Sequence, residues 1–209
     1  QTFCSGVTAN AINFLTANTG GTTTYTWTNN NPAIGLAASS GGNATGIPSF
    51  VATNTTTAPI TGTIIVTPTF ENGGVSCIGA TETFTITVNP GPAVSNQQDS
   101  TCSDVALDYD LGALVTGTGD LYTYTVVSSD ATNVPAGAPR TVASDVNITD
   151  TYTNTTNAVV TITYTITPTG ANGCVGNPFD LVVTVNPEPA VSNQAVSTCS
   201  DVALNYDLG

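Results

Sequence analysis

Basic residues are almost missing from this sequence. Its 209 residues hold a single Lys or Arg, which is Arg140, against 14 acids, and no His at all. Without His, the commonest general base, metal ligand and triad member is gone. Without Lys there is no Schiff base, no phosphate-binding lysine and no Lys-to-Asn isopeptide staple. One cation cannot hold a nucleic-acid backbone or an anionic membrane surface, so nucleic-acid partners and direct membrane insertion are excluded. Charged residues make up 7% of the chain, against about 25% in ordinary soluble domains. No apolar run approaches the roughly 18 residues that span a bilayer, and no signal peptide is visible. Carboxylates alone can run glycoside hydrolysis, but no pair stands out among the acids. The expectation is a chain without catalytic residues.

What is present is a repeat. Val88-Asn89-Pro90-Gly91-Pro92-Ala93-Val94-Ser95-Asn96 returns as Val185-Asn186-Pro187-Glu188-Pro189-Ala190-Val191-Ser192-Asn193, and Ser100-Thr101-Cys102-Ser103-Asp104-Val105-Ala106-Leu107 returns as Ser197-Thr198-Cys199-Ser200-Asp201-Val202-Ala203-Leu204, each displaced by 97 positions. A period of that length is a domain rather than a solenoid coil. The expected organisation is one unit over 1–90, a second over 91–187, and the first strand or strands of a third over 188–209. Strand donation by this last stretch into a neighbouring molecule is the lesser reading. The junctions Asn89-Pro90-Gly91-Pro92 and Asn186-Pro187-Glu188-Pro189 alternate prolines, which fix φ and cannot continue a sheet ladder. Short linkers of this kind predict a semi-rigid rod.

The local signal is strand. Thr22 to Thr28 places Tyr25 and Trp27 on one face and threonines on the other, and Tyr122-Thr123-Tyr124-Thr125 is its counterpart. Thr161 to Thr167 turns Ile162, Tyr164 and Ile166 inward, with Thr61 to Thr67 in the same place earlier. Thr83 to Val88 alternates Phe84, Ile86 and Val88, matched by Leu181, Val183 and Val185. Asn72-Gly73 and Asn172-Gly173 mark hairpin turns. Short alternating strands at this spacing predict an all-β chain of immunoglobulin-like antiparallel β-sandwiches in a linear array. Trp27 is read as core rather than as a sugar-stacking platform.

The five cysteines keep the same rhythm. Cys4 to Cys77 and Cys102 to Cys174 are near-equal spans, and Cys77 to Cys102 equals Cys174 to Cys199. Bridges inside each unit or bridges across each junction both fit. Pairs Cys4–Cys77 and Cys102–Cys174 are favoured because they close each unit on itself, with Cys199 paired beyond Gly209. Each would stabilise by about 4 kcal/mol and would imply an oxidising compartment. With neither a CxxC spacing nor His, zinc is not expected.

Taken in order, Tyr25-Thr26-Trp27-Thr28, Ile34-Gly35-Leu36-Ala37, Ile47-Pro48-Ser49-Phe50, Ala52-Thr53-Asn54, Val66-Thr67-Pro68-Thr69, Cys77-Ile78-Gly79 and Thr85-Ile86-Thr87-Val88-Asn89-Pro90 resemble the PKD-like repeats of very long Bacteroidetes surface proteins, including gliding-motility adhesins. The second unit keeps Ile166-Thr167-Pro168-Thr169, Gly173-Cys174-Val175-Gly176 and Val185-Asn186-Pro187, and departs around Asn133-Val134-Pro135 and Arg140. The resemblance implies tandem PKD-like sandwiches, export by the type IX system to the bacterial cell surface, a stalk or filament role and no catalysis. Implied partners are neighbouring repeats, surface glycans or other adhesin components. A carbohydrate- or protein-binding module is the alternative, as are spacer domains of a large secreted enzyme.

Two chemical sites remain as expectations. Asp104, Asp108 and Asp110 offer hard oxygen ligands for calcium near a unit start, with Asp201, Asn205 and Asp207 equivalent; no other cofactor is expected. Asp99-Ser100-Thr101 is similar to the Asp-Ser/Thr-apolar site that Bacteroidetes O-glycosylate, which makes Ser100 the acceptor. Asn43, Asn54, Asn147 and Asn154 fit the N-glycosylation pattern, as chance matches in a Thr- and Asn-rich chain.

Overall fold

The Thr-apolar alternation produces strands wherever it was expected, and no α-helix occurs among the described residues. The computed structural model describes residues 1–40, 44–114, 120–144, 147–189, 197, 199–201 and 203. Asn43, Asn205, Asp207 and most of the stretch expected to open a third unit lie outside them.

The first half carries β1 (Thr2–Cys4), β2 (Thr8–Ala9), β3 (Ile12–Asn13), β4 (Thr22–Asn29), β5 (Gly46–Ile47), β6 (Phe50–Val51), β7 (Ile60–Asn72), β8 (Val75–Ile78) and β9 (Glu82–Asn89). Its main sheet runs β1-β9-β7-β4, with β8 also on β7, and the small pairs β2-β6 and β3-β5 lie off it. The second half carries β10 (Gln97–Cys102), β11 (Leu121–Ser128), β12 (Arg140–Ser144), β13 (Val160–Thr169) and β14 (Phe179–Asn186). They form one sheet in the order β10-β14-β13-β11-β12. Bridges Ala106 to Thr151 and Tyr109 to Ile148 stand where β2-β6 and β3-β5 stand earlier.

One expectation needs correction. The sheets are not wholly antiparallel: β1 runs parallel to β9, with Cys4 opposite Asn89, and β10 runs parallel to β14, with Cys102 opposite Asn186. A parallel first strand starts at the same end as the last strand, so the first cysteine of each half sits where that half ends.

Each half buries its own apolar cluster. Trp27, Ile34, Leu36, Ile47, Ile64, Ile86 and Val88 centre the first. Tyr122, Ile162, Tyr164, Ile166, Leu181, Val183 and Val185 centre the second. The inward-facing residues read from the sequence are therefore the observed ones, except that Phe84 only packs partly buried against its cluster. At about 25 cal/mol per Å² of apolar area, each fully buried Ile or Leu contributes roughly 2 kcal/mol against solvent exposure. Val134, in the stretch that looked unmatched, is fully buried, as Ile34 is in the first half.

Candidate functional site

The same tight turn follows the first cysteine of each half. Val7 N donates to Cys4 O and Val105 N to Cys102 O, both at 3.2 Å. The third residue of this turn needs positive φ, and Gly6 (87°), Asp104 (61°) and Asp201 (65°) all adopt it. Gly visits that region freely and Asp is among the few side chains that tolerate it. The interchange of Gly6 with Asp104 is thus a backbone requirement met in two ways.

An asparagine then ties the turn to the sheet. Asn54 donates through Nδ2 to Ala58 O and Val88 O, and its Oδ1 accepts from the Thr56 amide and hydroxyl. Asn154 does the same with Ala158, Val185 and Thr156. The Asn54 amide donates to Ser5 Oγ, and that of Asn154 to Ser103 Oγ, both at 2.9 Å. Asn154 is 0% exposed. A buried amide with every group bonded is a strut, so Asn54 and Asn154 are structural residues rather than glycan acceptors. Sequence reading missed this role, although the return of Asn-Thr-Thr in both halves was a usable signal.

The disulfide pairing also needs correction. The structure joins Cys4 to Cys174, with Cα atoms 5.4 Å apart, in place of Cys4–Cys77 and Cys102–Cys174. Cys77 and Cys102 are exposed thiols. The reason is geometric. Cys4 lies beside Asn89, at the Ile60 end of β7, whereas Cys77 is opposite Phe70. Ten strand residues separate those ends, about 33 Å at roughly 3.3 Å each, and a disulfide needs Cα atoms within about 7 Å. Cys102 and Cys174 are held apart in the same way along β13.

The bridge spans the junction, and the linker is packed there too. Asn172 Nδ2 donates to Pro90 O at 3.3 Å. Gly91 lies against the Val175 carbonyl, and Gly176 against that of Pro92, each so close that a Cβ could not fit. Val94 packs on the second cluster. Loop 170–176 of the second half therefore holds the linker on one side and Cys4 on the other. The turn signal at Asn172-Gly173 marks this loop: Gly173 has φ 79°, and Cys174 N donates to Asn172 Oδ1.

The three acids proposed for calcium are not gathered. Asp104 accepts from Thr153, Asp108 from Asn147 Nδ2 and Asp110 from the Gly112 amide. Among the described residues no group of three or more His, Cys, Asp or Glu is placed to hold a metal ion. Asp104 instead meets Glu188. The Thr153 bond, and then Glu188, hold the Asp104 carboxyl below its ordinary range, and Asp104 in turn pushes Glu188 up. Ser100 is exposed on β10, while its neighbour Thr101 is buried. Trp27 is 3% exposed and its Nε1 has no partner among the described residues, so it is not a stacking platform.

The second half holds a polar cluster that sequence reading did not find. Tyr164 Oη donates to Asp150 Oδ2 at 2.8 Å and lies 2.6 Å from Tyr152 Oη. Tyr124 meets the Tyr164 ring edge-on, and the Arg140 guanidinium lies 4.8 Å from the Tyr124 ring centre. Burial pushes the Tyr152 phenol up to about 12, and burial with the Tyr152 and Asp150 contacts raises Tyr164 further. Tyr124, Tyr152 and Tyr164 are buried, and Tyr152, Tyr164 and Asp150 bond one another.

Residues 99–189 match the model of the PKD-like domain family. No curated protein matches the sequence. Among solved structures, chicken VE-cadherin EC1-2 aligns at 11% identity and TM-score 0.36, covering 90% of this chain and 97% of that one. Human mucin-like protocadherin EC1-2 aligns at 12% and 0.32, covering 90% and 95%. Likeness at these TM-scores carries no functional weight. No helix among the described residues is long and apolar enough to cross a membrane.

Proposed function

We propose that this chain is a stretch of the stalk of an exported bacterial surface adhesin, of the gliding-motility kind its motifs resemble. Residues 1–90 and 91–187 are successive sandwich units, and 188–209 opens a third. The units act as spacers and no catalysis is assigned to them. The observation that carries this reading is the Cys4–Cys174 bridge beside a packed Pro-Gly-Pro linker. A joint held covalently on one side and by linker packing on the other resists bending. That is what a spacer needs and what a diffusing enzyme domain does not. The PKD-like match over 99–189 fits the same role, and the bridge fits an extracellular, oxidising location. The alternative of a carbohydrate module built on Trp27 loses its platform to burial. Partner recognition, glycan or protein, then belongs to other parts of the assembled adhesin. Negative-stain electron microscopy of the native parent protein sheared from cells tests this. Thin fibres of regular beads are the expected result, and compact particles would overturn the proposal.

A further inference from the structure

The Cys4–Cys174 joint has two unmatched halves elsewhere in the chain. Cys102 repeats Cys4: same turn, same parallel register against the last strand of its half, and an exposed thiol at the end where the chain leaves that half. Cys77 repeats Cys174: it sits in the hairpin region at the opposite end of its sheet, also exposed.

The surface around Cys77 repeats the linker seat as well. In the second half, Gly170, Val175 and Gly176 lie against Gly91 and Pro92, with Pro168 beside Gly176. In the first half, Pro68, Phe70, Ile78 and Gly79 stand in those places and form one wall of an open, largely apolar cavity of about 860 Å³. Ile78 is 77% exposed there, and the atoms nearest Gly79 belong to Pro68, as those of Pro168 lie beside Gly176. Phe14, Tyr25 and Phe84 line its floor.

We infer that the cavity beside Cys77 receives the Pro-x-Pro-Ala-Val linker of another copy of this unit, and that a disulfide from the first cysteine of that copy to Cys77 seals it. Cys102 makes the same bond forward, to the hairpin cysteine of the next copy. The product is a ladder in which every unit is bonded to both neighbours and none is closed on itself. The occupant is argued from the chain itself, since Gly91, Pro92 and Val94 already fill the equivalent seat. Each bridge converts two thiols to one disulfide. The Cys102 thiolate attacks an oxidised thiol oxidoreductase or oxidised glutathione and expels one thiolate. The hairpin thiolate then attacks the Cys102 sulfur and expels the second, so two electrons and two protons leave with the reduced oxidant.

This inference rests on the tandem-unit reading, and the test separates the two. The full chain is continued past Gly209 with a copy of residues 113–189, which keeps the 97-residue register, and is refolded with oxidised glutathione. Peptide mapping without reduction is expected to link Cys4 to Cys174 and Cys102 to the appended copy of Cys174, leaving Cys77 open to alkylation. Cys102→Ser should then free the appended cysteine. A folded third unit with Cys102 still free, or with its hairpin cysteine bonded to Cys199, overturns the ladder and leaves the tandem reading standing. An appended unit that stays unfolded by proteolysis counts against the tandem reading. In that event the unextended chain, oxidised at high concentration, tests the ladder separately. Head-to-tail multimers linked Cys102 to Cys77 support it, and monomers or Cys102–Cys102 dimers overturn it.

Discussion

The two halves share a skeleton and differ in what fills it. Both place a parallel first strand beside the last, both turn through a positive-φ residue after the first cysteine, and both brace that turn with a buried asparagine. Inside, Phe50, Ala52 and Ile64 of the first half stand where Asp150, Tyr152 and Tyr164 form a hydrogen-bonded triad in the second. The asparagine brackets are kept because each satisfies a buried strand carbonyl, Val88 O in the first half and Val185 O in the second. Core volume tolerates exchange, provided that every polar atom introduced finds a partner.

The comparison breaks most sharply at the brackets. Asn154→Ala takes a donor from the buried Val185 carbonyl and the acceptor from the Thr156 amide, while the Ala158 carbonyl keeps its bond from the Thr156 hydroxyl. It is expected to cost about 3 kcal/mol, at roughly 1–3 kcal/mol per lost partner. Asn54→Ala should cost a similar amount. The sole tryptophan is Trp27 and most tyrosines lie beyond residue 100, so tryptophan fluorescence in a urea titration reports the first half and tyrosine near-UV dichroism the second. Equal losses in both would confirm a shared skeleton, and a neutral Asn154→Ala would refute it.

Tyr164→Phe touches only the second half. It removes the donor to Asp150 and the contact with Tyr152, and a loss of about 1–3 kcal/mol is expected. The tryptophan signal should not move.

Alkaline pH separates the halves next. Tyr152 is pushed up to about 12 by burial, and Tyr164 is raised as well. A phenol whose pKa is higher folded than unfolded leaves the native state holding more protons, so its stabilisation is complete below about 10 and declines as pH rises toward 12. The tyrosine signal of the second half should therefore lose stability across that window, and Tyr152→Phe should flatten the decline. A pH-independent second half would contradict the triad.

The smallest effect is expected from Arg140→Gln, which removes a contact with Tyr124 and a bond to Asn147 O. About 0.5–1 kcal/mol is the usual worth of such a ring contact, confined again to the second half.

Strand positions and inward faces were legible because alternation of period two is a local property of Thr, Tyr, Ile and Val. The direction of the first strand was not. Alternation is the same whichever way a strand runs, and Thr2–Cys4 is too short to carry any other signal. The cysteine partners depended on where that strand sits along its sheet: Cys4 lies beside Asn89, at the opposite end from Cys77. The bracket asparagines were noticed only as glycosylation matches, because burial cannot be read from Asn-Thr-Thr. The carboxylates were grouped for calcium by proximity in sequence, whereas the tight turns around Asp104 and Asp110 send them to separate partners.

The joint between the halves is the centre of the account, and it is read most directly by mapping the disulfides of the 209-residue chain. After oxidative folding, alkylation and digestion at acidic residues without reduction, the account predicts a cross-linked pair of peptides carrying Cys4 and Cys174, with Cys77 and Cys102 alkylated. A Cys4–Cys77 or Cys102–Cys174 peptide would contradict it, and each half would then be closed on itself.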